Sequence, residues 1–256
     1  MRLGFVGTGA IAEAIVTGTL GADLAIASIL VSPRNADVAA RLAAASPLVR
    51  VAKDNQAVVD GADIVFLAIR PQIAETVVRA LTFRADQHVV SLIAATDQTA
   101  LSEWIGMNLR LTRAIPLPFV AERKGVTAIF PPDEDVAAFF NALGSTVEAR
   151  TEEEYQLLGS ASALMGTFFG ILEIGGRWLE AQGMPYDQAK SYLAPLFASL
   201  ADTAARPQAP DFDVLRDEFS TKGGLNEQVF SDFTARGGAK ALTEALDGVL
   251  ARIRGK

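Results

Sequence analysis

The 256-residue chain has no cysteine and one histidine, His88. The first absence excludes thiol nucleophiles, disulfides and thiolate metal sites. The second excludes any mechanism or metal centre that needs two imidazoles. Basic residues are in the minority, 23 Lys and Arg against 30 Asp and Glu, for a net charge of −7. A broad nucleic-acid or anionic-membrane surface is therefore not expected. No apolar run is read as reaching the ~18 residues of a membrane span. The opening Met1–Val6 enters a strand pattern without a small-residue cleavage site, so no signal peptide is read and the cytoplasm is the expected location. Asp211, Asp213, Asp217 and Glu218 cluster, but without a histidine or a fixed loop they make no metal site. What is present is apolar: half the residues are hydrophobic, enough for a sizeable core in one α/β domain and a smaller second one.

Short apolar runs alternate with helical spacing through the first 150 residues. Strands are expected at Leu3–Val6, Ala27–Val31, Val49–Ala52, Ile64–Ile69, His88–Ile93 and Leu109–Arg113, with two more at Val126–Phe130 and Thr146–Ala149. Helical stretches lie between most of them, among them Ile11–Leu20, Ala36–Ala45, Gln56–Asp60, Gln72–Leu81 and Ala100–Ile105. Such alternation argues for β-α-β units and a parallel sheet covered on both faces. Beyond Thr151 the strand signal ends, and helices are expected at Glu153–Gln182, Asp187–Ala204, Asp213–Phe219, Leu225–Arg236 and Ala239–Arg254. The stretch Leu157–Leu179 is apolar on most sides and is expected to be buried, in part by a second copy of the chain. Glu152, Glu153 and Glu154 read as a solvated helix start that complements the helix dipole. His88 opens an apolar strand and reads as structural.

Directly after the first strand comes Gly7-Thr8-Gly9-Ala10-Ile11-Ala12, matching G-x-G-x-x-A. Gly7 permits the tight turn, Gly9 lets a pyrophosphate approach the backbone, and Ala12 lets the helix pack closely on the strand. The helix then presents unpaired N–H groups to the phosphates. This is the fingerprint of a Rossmann-type dinucleotide site. The end of the second strand selects the cofactor, because a carboxylate there grips the ribose 2′-hydroxyl of NAD and repels a 2′-phosphate. This chain has Val31-Ser32-Pro33-Arg34-Asn35, with no acid. Ser32 can donate a hydrogen bond and Arg34 can pair with a phosphate, so NADPH is the expected cofactor, with NADH possible. Ala68-Ile69-Arg70-Pro71 ends the fourth strand at the crevice, and Ala94-Ala95 follow the fifth, where small residues leave room for a nicotinamide ring.

In order along the chain these motifs resemble the pyrroline-5-carboxylate reductase family. The resemblance rests on the N-terminal glycine turn, Ser32 and Arg34 after the second strand, and Asn55 before a helix. Gly61–Gln72 resembles the family's stretch ending Ala-Val-Lys-Pro-Gln, and Ser91–Ala95 its Ser-Ile-Ala-Ala. Arg113-Ala114-Ile115-Pro116 resembles Arg-x-Met-Pro, and Gly125-Val126-Thr127 resembles Gly-x-Thr. Leu215-Arg216-Asp217 and Ser220-Thr221-Lys222-Gly223-Gly224 resemble Leu-(Arg/Lys)-Asp and the Ser-Pro-Gly-Gly loop. The resemblance implies an NAD(P)H-dependent oxidoreductase that reduces a cyclic imino acid, 1-pyrroline-5-carboxylate to proline or a related imine, in proline biosynthesis. It implies a dinucleotide-binding Rossmann domain over residues 1–150 and an all-helical substrate and dimerisation domain over 151–256, in a homodimer or larger oligomer. It places the substrate carboxylate on the loop Ser220, Thr221, Lys222, Gly223, Gly224, Leu225 and Asn226.

The substrate half departs from the family. Leu117, Pro118 and Phe119 stand where Asn-Thr-Pro is usual, Ala161–Thr167 replaces Ser-Gly-Ser-Gly-Pro-Ala-Tyr, Lys222 replaces proline, and Asn226 replaces threonine. Leu117, Phe119 and Leu225 leave a bulkier or more apolar imino acid open as the substrate. No catalytic acid is assigned, since hydride attack on a protonated imine builds no oxyanion and needs orientation above all. Two other readings stand beside this one. A hydroxyacid dehydrogenase-like enzyme would need a lysine at the hydride site, Lys190 or Lys222. A non-catalytic NADP-binding regulatory protein would account for the rewritten substrate motifs.

Overall fold

The fold is that of a computed structural model describing residues 1–255. It divides into two compact units, Met1–Gly159 with the stretch from Arg252 onward, and Ser160–Ala251. In the first unit the strands are β1 (Arg2–Val6), β2 (Ser28–Val31), β3 (Val49–Val51), β4 (Ile64–Leu67), β5 (His88–Ser91), β6 (Arg110–Pro116), β7 (Gly125–Phe130) and β8 (Gly144–Glu148). The helices are α1 (Ala10–Leu20), α2 (Ala36–Ala45), α3 (Asn55–Gly61), α4 (Pro71–Arg79), α5 (Gln98–Ile105), α6 (Glu134–Asn141) and α7 (Glu152–Ala161). The sheet order is β3-β2-β1-β4-β5-β6-β7-β8. The first six strands are parallel, as their alternation with helices requires.

The last two strands differ from that expectation. β7 runs antiparallel to β6 and carries β8 parallel to itself. The link from β6 to β7 holds one 3₁₀ turn, Pro118–Glu122, too short for a parallel crossover of a dozen residues or more. The chain therefore turns back beside its own strand.

Both sheet faces are covered. On one, Phe5 and Phe66 pair in register on β1 and β4 and stack at 4.7 Å, with Phe139 of α6 at 5.3 Å from Phe66. On the other, Val58, Val59, Ala74, Val78 and Leu101 of α3, α4 and α5 pack on Val65, Leu67 and Val89. Each buried Val, Leu or Phe among them contributes roughly 1.5–3 kcal/mol. His88 sits at the amino end of β5, with Nε2 3.0 Å from Thr112 Oγ1 and 3.6 Å from Asp133 Oδ2. Its burial is structural, as its place in an apolar strand suggests.

Of the acids that read as solvated, Glu153 and Glu154 are exposed as expected, and Glu152 alone fastens α7 to the sheet. The Glu152 carboxylate pairs with the buried Arg113, whose guanidinium lies 4.4 Å over the Tyr155 ring. Glu154 accepts from Arg150 N at 2.6 Å while its own N–H donates to Thr151 Oγ1 at 3.1 Å, a reciprocal cap. Burial drives the Tyr155 phenol above its ordinary pKa.

The second unit holds α8 (Leu164–Ala181), α9 (Tyr186–Ala204), α10 (Phe212–Glu218), α11 (Leu225–Ala235) and most of α12 (Gly238–Ile253). The single helix expected over Glu153–Gln182 is two, interrupted at Ser162 and Ala163. One expectation is corrected: Glu152–Ala181 is long and apolar enough, by length and composition, to cross a membrane, with a mean hydropathy of 1.6 over its best window. Interspersed Gly, Ser and Thr hide this from a search for unbroken apolar runs. Nor is the stretch buried within the chain, since only 6% of that window is covered.

Candidate nucleotide site

The sheet order reverses between β1 and β4, so the crevice of a parallel α/β sheet lies at their carboxyl ends. Register brings three strand ends together. Phe5 pairs with Val31 and Val6 with Leu67, so Ser32 follows at the level of Val6 and Ala68 at the level of Gly7. Gly7 has φ +99°, and a Cβ there would lie 2.2 Å from the Ala68 carbonyl oxygen. Only glycine meets both demands.

Gly9 is the N-cap of α1. No side chain caps the helix, and a Cβ on Gly9 would meet nothing within 4 Å. The first-turn N–H groups therefore open into free space, an arrangement that suits an anion. Ala12 is fully buried, which lets α1 lie close on the sheet. Glu13, the acid in this first turn, would oppose a phosphate, but Arg41 pairs with it at 2.7 Å.

Around the turn lies a cavity of about 360 Å³ lined by Val6, Gly7, Thr8, Gly9, Ser32, Arg34, Asn35, Asn55, Ala68, Ile69, Arg70, Ile73 and Val77. Nine of the residues anticipated from sequence meet there: Gly7, Thr8, Gly9, Ser32, Arg34, Asn55, Ala68, Ile69 and Arg70. Arg34 and Arg70 come from the ends of β2 and β4, are exposed, and form no ion pair among the described residues. Two free guanidinium groups flanking open backbone amides, in a chain of charge −7, form a local positive site for phosphates. Asn55 opens α3, whose cap Asp54 accepts from Ala57 N at 2.7 Å, leaving the Asn55 side chain to the cavity.

Ala10, Ile11, Pro71, Ala94 and Ala95 are not in the cavity wall. Ala10 and Ile11 contribute α1 amides, Pro71 occupies the first position of α4, and Ala94 and Ala95 are exposed beyond β5, Ala95 with φ +50°. Four lining residues were not anticipated: Val6, Asn35, Ile73 and Val77. Ile73 and Val77 stand four apart on α4, and that spacing was a usable signal for an apolar wall. Asn35 adopts φ +63° before α2, a conformation asparagine tolerates.

Ser220–Asn226 belongs to the second unit: Ser220–Gly224 lie between α10 and α11, and Leu225 and Asn226 open α11. Gly223 takes φ +74°, and its N–H donates to Glu227 Oε2 at 2.6 Å. The Asn226 amide donates to the Phe219 carbonyl at 2.7 Å, which closes the loop. Lys222 is exposed and forms no ion pair among the described residues.

The glycine turn and the reversed sheet define a Rossmann-type dinucleotide domain, here followed by a helical unit. Residues 2–95 match the protein family described as NADP oxidoreductase, coenzyme F420-dependent. A pyrroline-5-carboxylate reductase of Glycine max is 29% identical over 87% of this chain and 84% of its own. The crystal structure of the 1-pyrroline-5-carboxylate reductase of Streptococcus pyogenes superposes with a TM-score of 0.84 at 22% identity, covering 100% of this chain and 99% of that one. The Plasmodium falciparum pyrroline carboxylate reductase with NADP bound superposes with a TM-score of 0.83 at 15% identity, over 100% and 97%. The resemblance to pyrroline-5-carboxylate reductases read from the motifs is thus matched by sequence similarity over most of the chain and by the fold over all of it.

Proposed function

We propose that the chain is an NADPH-dependent oxidoreductase that reduces a cyclic imine, 1-pyrroline-5-carboxylate to proline or a related imino acid. The observation that carries this reading is the open glycine cradle flanked by Arg34 and Arg70, on a fold shared end to end with such reductases. NADPH supplies the hydride, and the imine nitrogen brings its own proton as an iminium, so no side chain must protonate a developing oxyanion.

The chain's contribution is binding and orientation. The α1 amides of Ala10 and Ile11 hold the pyrophosphate, with Arg70 beside them. Arg34 pairs with the 2′-phosphate, and Asn55 with Ile73 and Val77 receives the adenosine. Ala94 and Ala95 leave room for the nicotinamide. The loop Ser220–Asn226, with Lys222, receives the substrate acid. In this reading the first unit binds the dinucleotide and the helical unit pairs two chains. Among the described residues, Ala189 is the only buried hydrophobic one in Ser160–Ala251. Phe169, Ile171, Ile174 and Trp178 of α8, with Leu225, Val229 and Phe233 of α11, are exposed in the single chain. A helical unit with so little core of its own gains it from a second copy. The cytoplasm, with its NADPH supply, is the fitting compartment.

The test is NADPH oxidation, followed by absorbance, with a panel of cyclic imines that includes 1-pyrroline-5-carboxylate. Turnover on one of them is the expected result. Saturable NADPH binding without turnover on any would instead support a regulatory cofactor-binding protein.

A further inference from the structure

Ser32 stands where a side chain can reach the 2′-phosphate, yet the structure turns its hydroxyl the other way. The residue is fully buried. Its Oγ accepts the Gly7 N–H at 3.0 Å. It also lies 3.0 Å from Thr8 Oγ1. Thr8 Oγ1 is itself buried and gives its hydrogen to the Ser32 carbonyl at 2.7 Å. The hydrogen shared between the two hydroxyls must then come from Ser32. The Ser32 hydroxyl has one hydrogen, and it is committed. A phosphate dianion only accepts, so Ser32 has nothing to offer it without breaking a buried bond.

The three bonds join two elements. Gly7 and Thr8 form the turn between β1 and α1, and Ser32 directly follows β2. The Ser32 N–H donates to the Phe5 carbonyl at 3.0 Å, anchoring Ser32 to the last paired level of the sheet. The turn is held from outside as well, by the Ala68 carbonyl that excludes a Cβ at Gly7. Between these two restraints the Gly9 and α1 amides are aimed into the cavity.

We propose that Ser32 and Thr8 form a hydroxyl lock that positions the phosphate turn, and that Ser32 is a positioning residue for the pyrophosphate rather than a ligand of the 2′-phosphate. This rests on the dinucleotide reading above. Discrimination between NADPH and NADH then falls on Arg34 and its neighbour Asn35, the cavity-lining residues that follow β2. The lock serves the part that both cofactors share, so its loss weakens both alike.

The experiment compares the parent protein with Ser32→Ala, Thr8→Val and the double variant. NADPH and NADH dissociation constants come from titration, KM for the imine is read at saturating NADPH, and melting temperature serves as a folding control. Ser32→Ala is expected to weaken both dinucleotides about tenfold, as loss of a buried hydrogen bond does. The NADPH/NADH preference stays within about twofold, and the imine KM is unchanged. The double variant loses little more than either single one, because the two hydroxyls act as one unit. Thr8→Val keeps the proposal testable should Ser32→Ala fail to fold. A selective loss of NADPH, tenfold or more with NADH spared, makes Ser32 a phosphate ligand and overturns the proposal. So does unchanged affinity for both. A parent that binds neither dinucleotide overturns the cofactor reading itself, a distinct result.

Discussion

Replacing Gly9 by alanine separates binding from folding at the glycine turn. Gly9 has φ −93° and ψ −174°, extended backbone that alanine adopts without strain. A Cβ would meet no protein atom within 4 Å, so the fold loses nothing. Removing a glycine also lowers the entropy of the unfolded chain, worth about 0.4–1 kcal/mol in favour of the variant. The space that the methyl enters is the space a pyrophosphate must occupy to accept the α1 amides. Displacing it weakens charge-assisted hydrogen bonds of about 1.5–3 kcal/mol each. Loss of one of them lowers dinucleotide affinity about 10- to 150-fold. The assay pairs thermal melting with NADPH titration followed by cofactor fluorescence. A melting temperature equal to or slightly above the parent's, together with that loss of affinity, is the expected outcome. A Gly9→Ala protein that binds NADPH within twofold of the parent refutes the placement of the pyrophosphate on this helix end.

Arg34→Asp exchanges the unpaired guanidinium for a carboxylate. The KM for NADPH should rise about 100-fold, from lost charge-assisted bonds plus repulsion, while that for NADH changes little; equal losses for both exclude phosphate selection by Arg34. Burial holds the His88 imidazole below its usual pKa, with Arg110 acting in the same direction and Asp133 and Asp135 opposing. The unfolded chain therefore takes up the proton first as pH falls. Stability is unaffected by this group above about pH 7.5 and declines below about 6.5, by at most ~1.4 kcal/mol per pH unit. Urea unfolding between pH 7.5 and 5 should show that slope, reduced in His88→Gln; an identical slope in both proteins assigns it elsewhere. Phe66→Ala removes a ring stacked between Phe5 and Phe139 and should cost about 3–5 kcal/mol in denaturant unfolding. A cost below about 1 kcal/mol shows that this cluster is not a packed core. Ile174→Glu places a charge on the exposed apolar face of α8 and should yield a monomer by sedimentation. A parent that is itself monomeric refutes the pairing of two chains.

The sequence alone determined what depends on neighbours in the chain. Alternation of apolar runs with helical spacing placed eight strands within a few residues of where they lie, from β1 to β8. The glycine turn was legible because Gly7, Gly9 and Ala12 answer local demands of backbone angle and close approach. The signal failed where local pattern is indifferent to partners. An apolar strand reads the same in either direction, so the antiparallel β7 followed only from the short 3₁₀ link. Glu153 and Glu154 are solvated as read, but Glu152 is not, because the buried Arg113 that claims it lies 39 residues away. The meeting of Arg34 with Arg70 depends on β2 and β4 flanking β1, a fact of sheet order that no window of sequence contains. The inward turn of the Ser32 hydroxyl depends on where Gly7 and Thr8 come to rest, 25 and 24 residues earlier. Pattern specifies each element through backbone sterics and hydrophobic spacing, whereas side-chain partners are settled only once distant strands are brought into register.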